Sequence, residues 1–245
     1  MTPKCSALAS DLYKTFVQGE CVITNARTAE MCKLTENSFR DVNIAFANEL
    51  SIICEKLSID VWELIKLANR HPRVNILQPG PGVGGHCIAV DPWFIVSKTP
   101  KEAQLIRTAR QVNDAKPDWV IAQIQQAISE CLVADQTKSV KDITIACFGL
   151  SFKPDIDDLR GSPALMIARK IANLHAGPVW GVEPNITALP QSITESLILK
   201  TQEDALAYSD IKVLLVDHTE FKNISLPKGR VLDFKGIWIK NINHV

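Results

Sequence analysis

The sequence has no surplus of either charge: 27 Lys+Arg balance 27 Asp+Glu, for a net charge of +0. General nucleic-acid binders carry a basic excess, so nucleic acid is not an expected partner. No apolar run approaches the roughly 18 residues needed to span a bilayer, so no membrane partner is expected either. The opening residues, MTPKCSALASDLYK, lack a continuous apolar stretch of signal-peptide type. Paired cysteines are missing as well. Cys5, Cys21, Cys32, Cys54, Cys87, Cys131 and Cys147 are odd in number, scattered, and contain no Cys-x-x-Cys. That argues against a disulfide framework and against a zinc site, and no metal is expected. The expectation is a reduced, cytoplasmic protein whose thiols mostly pack in the interior.

The chain does have the means for a sizeable core. Its 245 residues are 46% hydrophobic and 22% charged, so wholesale disorder is excluded. At about 150 residues per domain, one large or two small domains are expected. Residues 5–24 read as a helix with Leu8, Leu12 and Phe16 in register, then a short apolar stretch. A long helix is predicted from Thr28, as N-cap, to Leu57, with Met31, Leu34, Val42, Ala45, Phe46, Leu50 and Ile53 at helical spacing. A helix of that length crosses a domain or packs against a partner. A shorter helix, 61–69, follows.

Glycine and proline are sparse, at 11 and 13, yet they crowd into residues 72–92 as Pro72, Pro79, Gly80, Pro81, Gly82, Gly84, Gly85 and Pro92. A loop so dense in backbone punctuation is a candidate functional loop. After it comes helix again, 101–114, with Pro117 marking a boundary or kink and helix resuming to Leu132. From Asp142 the pattern alternates: strand 142–149, helix 162–174, strand 179–182, helix 202–208, strand 211–216 and a last strand from Arg230 to Asp233. Alternating strand and helix predicts a parallel sheet with helical crossovers.

Gly80 to Gly85 matches Gly-x-Gly-x-x-Gly, but a dinucleotide fingerprint needs a strand before it and a helix opening within it. Here Pro79 and Pro81 flank the first glycine and Cys-Ile-Ala-Val-Asp-Pro follows. The glycines are better suited to close approach of backbone to a ligand. Cys87, just beyond them, is a candidate nucleophile, with Asp91 placed to hold a proton or a water. A protease-like pairing of His86 with Cys87 is disfavoured, because adjacent side chains in an extended segment face opposite ways. Lys33 and Asn37 share a helix face and offer a cation and an amide to a developing oxyanion. The segment 148–163 joins a strand to a helix, where ligands of parallel sheets bind, so Lys153 and Arg160 stand where an anion belongs.

Taken together these residues resemble the nucleotide-sugar 6-dehydrogenases, a family acting on UDP-glucose, GDP-mannose and UDP-N-acetylhexosamines. The Lys33-x-x-x-Asn37 helix, the Gly-x-Gly-Gly-x-Cys87-x-x-x-Asp91 loop and the Phe-Lys153-Pro-x-x-x-Asp-x-Arg160-x-Ser-Pro163 segment appear in the family's order. Gly-Gly-His86-Cys87-Ile-Ala-Val-Asp91-Pro-Trp and Thr-Glu-Asn-Ser-Phe-Arg-Asp resemble the bacterial branch that oxidises UDP-N-acetyl-D-mannosamine for surface polysaccharides, including enterobacterial common antigen. The resemblance implies NAD as cofactor and two oxidations of a C6 alcohol through a Cys87 thiohemiacetal and thioester. Lys33 and Asn37 would stabilise oxyanions and Asp91 would manage a proton or water. Gly82, Gly84, Gly85, His86, Phe152, Lys153 and Arg230 would line the UDP-N-acetylmannosamine site. Arg73 would reach a neighbouring active site, and Arg160 would face NAD.

The same resemblance implies a homodimer through the central helices. It divides the chain into a remnant of an NAD-binding Rossmann domain (1–27), a central helical dimerisation region with the Cys loop (28–115) and a C-terminal α/β UDP-sugar domain (116–245). The family's fingerprint-bearing Rossmann domain has no counterpart in these residues, so the polypeptide alone is expected not to turn over. A non-catalytic, dimerising UDP-sugar-binding fragment is the alternative.

Overall fold

A computed structural model describes residues 2–190, 197–225 and 227–238. Helix α1 (Pro3–Tyr13) is capped by Thr2 and buries none of its residues. Helix α2 (Ala26–Lys56) is the expected long helix, but its cap lies three residues earlier than expected. Its cap is Asn25, whose Oδ1 accepts from Thr28 N at 2.9 Å, so Thr28 lies inside the first turn rather than before it. Asp60 caps α3 (Val61–Ala68) through bonds from Trp62 N and Glu63 N.

The sequence reading missed α4 (Asp91–Lys98). Proline in the first turn removes no helical bond, so Pro92 opens this helix instead of breaking it. The expected boundary at Pro117 is likewise absent. Helix α5 (Gln104–Ala134) runs through the proline, which is buried inside it. No break in secondary structure therefore falls at position 115, and α5 serves both the helical region and the sheet.

The sheet is parallel, in the order β3-β2-β1-β4-β5, with β1 Ile145–Phe148, β2 Val179–Val182, β3 Ile198–Leu199, β4 Ile211–Leu214 and β5 Arg230–Asp233. Side chains of a strand alternate between faces, and β1 sorts accordingly. Ile145 and Cys147 join the layer of α5 and α6 (Pro163–Leu174), while Ala146 and Phe148 join the layer of α7 (Gln202–Tyr208), Phe221 and Trp238. Trp238 stacks edge-on to Phe148 at 5.1 Å and donates to Phe221 O at 3.0 Å. The chain order reverses direction between β1 and β4, and at such a switch point the loops leaving the two strands part to form a crevice.

A buried polar ladder ties α2 to α5. Arg110 Nη1 meets Asp41 Oδ1 at 2.6 Å, with side chains 2% and 0% exposed. Asn113 donates to Asp41 O and Oδ1, Asn48 donates to Asn113 Oδ1, and Lys116 donates to Ser51 Oγ at 2.6 Å. Asn48 Oδ1 also accepts from Gly80 N at 2.9 Å, which fixes the start of the glycine loop to the helical layer.

Candidate active site

The glycine loop is held between the two layers by its lack of side chains. A Cβ on Gly84 would come within 2.6 Å of Pro163 Cδ and 2.7 Å of Gly161 O. Gly85 has φ +85° and carries the Phe152 ring against it, and its N–H bonds to Gly161 O at 3.3 Å. Gly82 passes between Pro117 and Pro163. The glycines thus dock the Cys87 loop onto the 151–163 segment. No strand precedes them, and the helix that follows opens only at Asp91, so they do not form a dinucleotide cradle. The sequence reading dismissed a following helix altogether; α4 corrects that part.

Cys87 is exposed, and its carbonyl accepts from Val90 N at 3.1 Å and Asp91 N at 2.8 Å. Those bonds form the turn that leads into α4 and place Asp91 in its first turn. Asn37 Nδ2 donates to Asp91 Oδ2 at 2.5 Å, so two of the residues singled out from sequence, 54 positions apart, meet directly. Lys33 lies one turn earlier on α2, with its ammonium 3.3 Å from Glu36 and its side chain 64% exposed.

Behind the loop lies a cavity of about 340 Å³. It is floored by Gly80, Gly82 and Gly84 and walled by Phe152 and Lys153 beyond β1, by Leu215 to Asp217 beyond β4, and by Arg40 and Ile44 of α2. It therefore opens at the carboxyl ends of β1 and β4, the switch point of the sheet. Its cations are Arg40, Lys153 and Lys235, the last 3.0 Å from Asp217. Arg40 and Lys235 were not foreseen. Arg40 lies three residues beyond Asn37 on the same helix, a spacing that could have flagged it.

Three arginines stand elsewhere. Arg230, expected at the nucleotide, begins β5 and pairs with Glu130 of α5 at 2.7 Å. A residue at the amino end of a parallel strand faces away from the crevice at the carboxyl ends, and Lys235, beyond the strand, supplies the charge there instead. Arg160 forms a two-pronged contact with Asp158, Nε to Oδ1 at 2.9 Å and Nη2 to Oδ2 at 2.7 Å. The guanidinium bonds hold the Asp158 carboxyl well below the usual range, with His86 adding a smaller effect. Arg73 is exposed, with its N–H bonded to His71 Nδ1, and does not line the cavity. Arg160 is thus the one assigned dinucleotide contact, and two of its five side-chain N–H donors are engaged by Asp158. The described residues do not by themselves fit a dinucleotide.

Residues 27–115 match the UDP-glucose/GDP-mannose dehydrogenase family, central domain, and residues 146–240 match the same family's UDP binding domain. The chain belongs to the UDP-glucose/GDP-mannose dehydrogenase family. As a family member it is 63% identical over 241 residues to the UDP-N-acetyl-D-mannosamine dehydrogenase of Escherichia coli (strain K12), covering 97% of this chain and 57% of that protein. It is 58% identical to the NDP-N-acetyl-D-galactosaminuronic acid dehydrogenase of Ralstonia solanacearum, covering 97% of this chain and 55% of that protein. Among solved structures, the UDP-D-ManNAc dehydrogenase of Pyrococcus horikoshii superposes with a TM-score of 0.82 at 35% identity, over 96% of this chain and 54% of that one. The UDP-N-acetyl-mannosamine dehydrogenase Cap5O of Staphylococcus aureus gives 0.79 at 41% identity, over 97% and 54%. The chain therefore spans little more than half the length of these relatives.

Proposed function

We propose that these residues form the nucleophile loop and the nucleotide-sugar site of a UDP-N-acetyl-D-mannosamine 6-dehydrogenase. The observation that carries this is the docking of the Cys87 loop onto the Phe152–Lys153 segment, around a cavity at the sheet's switch point. Lys153, Lys235 and Arg40 give that cavity the positive charge a diphosphate needs, and Ile44 and Val83 give it an apolar wall for a base or sugar face. The identity to mannosamine-type relatives favours the N-acetylmannosamine sugar.

NAD is the hydride acceptor assigned by family. The steps carried by this chain's own side chains are capture and release. The Cys87 thiolate adds to the C6 aldehyde, forming a C–S bond while the carbonyl oxygen takes a proton. This thiohemiacetal holds the aldehyde in place for the second oxidation. Water then cleaves the resulting thioester to the uronate and regenerates the thiol. Asn37, fixed by Asp91, presents an amide donor, and Lys33, one turn away, presents a cation for the tetrahedral oxyanions. The Asp91 carboxylate lies next to the nucleophile's turn and accepts a proton from the attacking water. The unpaired, scattered cysteines favour a reducing, cytoplasmic setting; no described helix is long and apolar enough to cross a membrane.

Titration of UDP into the 245-residue polypeptide is expected to show binding that Lys153→Ala weakens about tenfold. UDP-N-acetylmannosamine is expected to shield Cys87, but not the exposed Cys5, from iodoacetamide. No binding of UDP together with no protection of Cys87 by UDP-N-acetylmannosamine would sink the assignment. With no dinucleotide cradle among the described residues, this polypeptide alone is expected to make no NADH from NAD and UDP-N-acetylmannosamine; robust NADH formation would overturn that part.

A further inference from the structure

Glu183 follows β2 and is 5% exposed. In a dinucleotide-binding sheet, the acid at the end of the second strand meets a ribose hydroxyl. Here that carboxylate is committed to the protein. Its Oε2 accepts from Leu150 N at 2.7 Å and Ser151 N at 3.0 Å, and lies 3.0 Å from His218 Nε2. Its Oε1 accepts from Asn185 N at 3.2 Å. His218 is fully buried, and its Nδ1 accepts from Asp155 N at 3.0 Å. That bond leaves the imidazole proton on Nε2, facing Glu183. Both ring nitrogens are thereby engaged, so the neighbouring Asp155 and Glu220 carboxylates find no imidazole nitrogen for a shared cation.

The amides so held, Leu150, Ser151 and Asp155, bracket Phe152 and Lys153. Other bonds complete the clamp. Ser162 Oγ donates to Ser151 O at 3.0 Å, and Ser151 Oγ donates to Lys153 O at 2.7 Å. Asp155 adopts φ 60°, a left-handed conformation that a non-glycine residue keeps only where its surroundings impose it. The His218 acceptor on its N–H, and Thr219 N and Oγ1 on its carboxylate at 2.8 Å each, impose it.

We propose that Glu183 and His218 are positioning residues: a buried pair that sets the Phe152–Lys153 arm over the cavity and so determines nucleotide affinity without touching the nucleotide. The inference rests on the nucleotide-binding function proposed above. Glu183→Gln replaces a carboxylate accepting backbone N–H groups with an amide that presents a donor to them, and it is expected to weaken UDP binding about tenfold. In a Lys153→Ala background the same substitution is expected to have under twofold effect, because the arm it positions no longer carries its charge. Amide exchange at Leu150 and Ser151 is expected to accelerate in Glu183→Gln. His218→Gln keeps a donor toward Glu183 through its Nε2 but carries its acceptor oxygen on the side-chain terminus rather than at the Nδ1 position, and is expected to accelerate exchange at Asp155 alone. The same tenfold loss in both backgrounds would show that Glu183 acts on the whole fold, and unchanged exchange at these amides would remove the clamp; either overturns the proposal. If Lys153→Ala leaves UDP affinity unchanged, the nucleotide site itself is wrong, while the exchange measurements still decide the clamp. Should Glu183→Gln not fold, His218→Gln carries the test through exchange at Asp155 and UDP affinity.

Discussion

The Lys116 ammonium donates to Ser51 Oγ at 2.6 Å and lies 3.6 Å over the Trp119 ring, with the residue 2% exposed. Burial lowers its pKa from 10.5 to about 7, partly opposed by Glu55. The unfolded chain therefore holds more protons than the folded one between about pH 7 and pH 10.5, and stability rises with pH through that window. The cost is fully present below pH 7 and vanishes above the unfolded value, with a size on the order of a few kcal/mol. Urea unfolding from pH 7 to 9 should show wild type gaining stability relative to Lys116→Met; parallel curves would mean the lysine is not desolvated. Other residues were more legible. Cys87 stood out because the only dense cluster of glycine and proline precedes it, and Lys153 because a strand-to-helix loop places it. Lys235 and Arg40 did not, because their roles depend on which strand and helix faces meet across the cavity. Arg230 was already placed at the start of the last strand; its nucleotide role came from the resemblance alone, and here it pairs with Glu130 at the amino end of β5.

Helix spacing recovered α2, α3, α6 and α7, and β1, β2, β4 and β5 were visible as short apolar runs between turn signals. What escaped was decided by packing. α4 begins on Pro92, and the Pro117 ring is buried within α5, so two prolines read as breaks are accommodated inside helices. The α2–α5 pairing was also invisible, since Asp41 and Arg110 are 69 residues apart. Their contact now makes an element-level expectation. Asp41→Ala removes the buried partner of Arg110 and leaves that guanidinium only the half-exposed Asp114 carboxylate, its Nε already lacking a hydrogen-bond partner among the described residues. Breaking such a pair costs about 3–5 kcal/mol, whereas replacing both partners by apolar residues of similar volume costs far less. Denaturant unfolding of Asp41→Ala beside Asp41→Leu/Arg110→Met measures both; a loss below about 1 kcal/mol in the single variant would mean the ladder does not hold α2 against α5.

The whole molecule leaves one apolar face of α2 uncovered. Phe39, Phe46 and Ile53 recur every seven residues and are 70%, 52% and 43% exposed. The opposite face, with Asn37, Asp41, Ala45 and Asn48, is buried against α5 and the glycine loop. Two aromatic rings on one surface seam are costly to leave in water, and a two-fold partner is the economical cover, because one patch then serves both subunits. The dimer that the sequence resemblance implies would cover this seam with a second copy of the chain, and that expectation is open to test. Dimerisation would also bear on the site, since Asn37 lies on the same helix as the seam and Arg73, exposed and outside its own cavity, is free to reach a neighbour. Phe46→Glu places a carboxylate at the centre of the seam without touching the buried face. Sedimentation at micromolar concentration should show wild type as a dimer and Phe46→Glu as a folded monomer with an unchanged helical spectrum. A wild-type monomer, or a variant that still dimerises, would remove α2 as the interface and Arg73 as a residue acting across it.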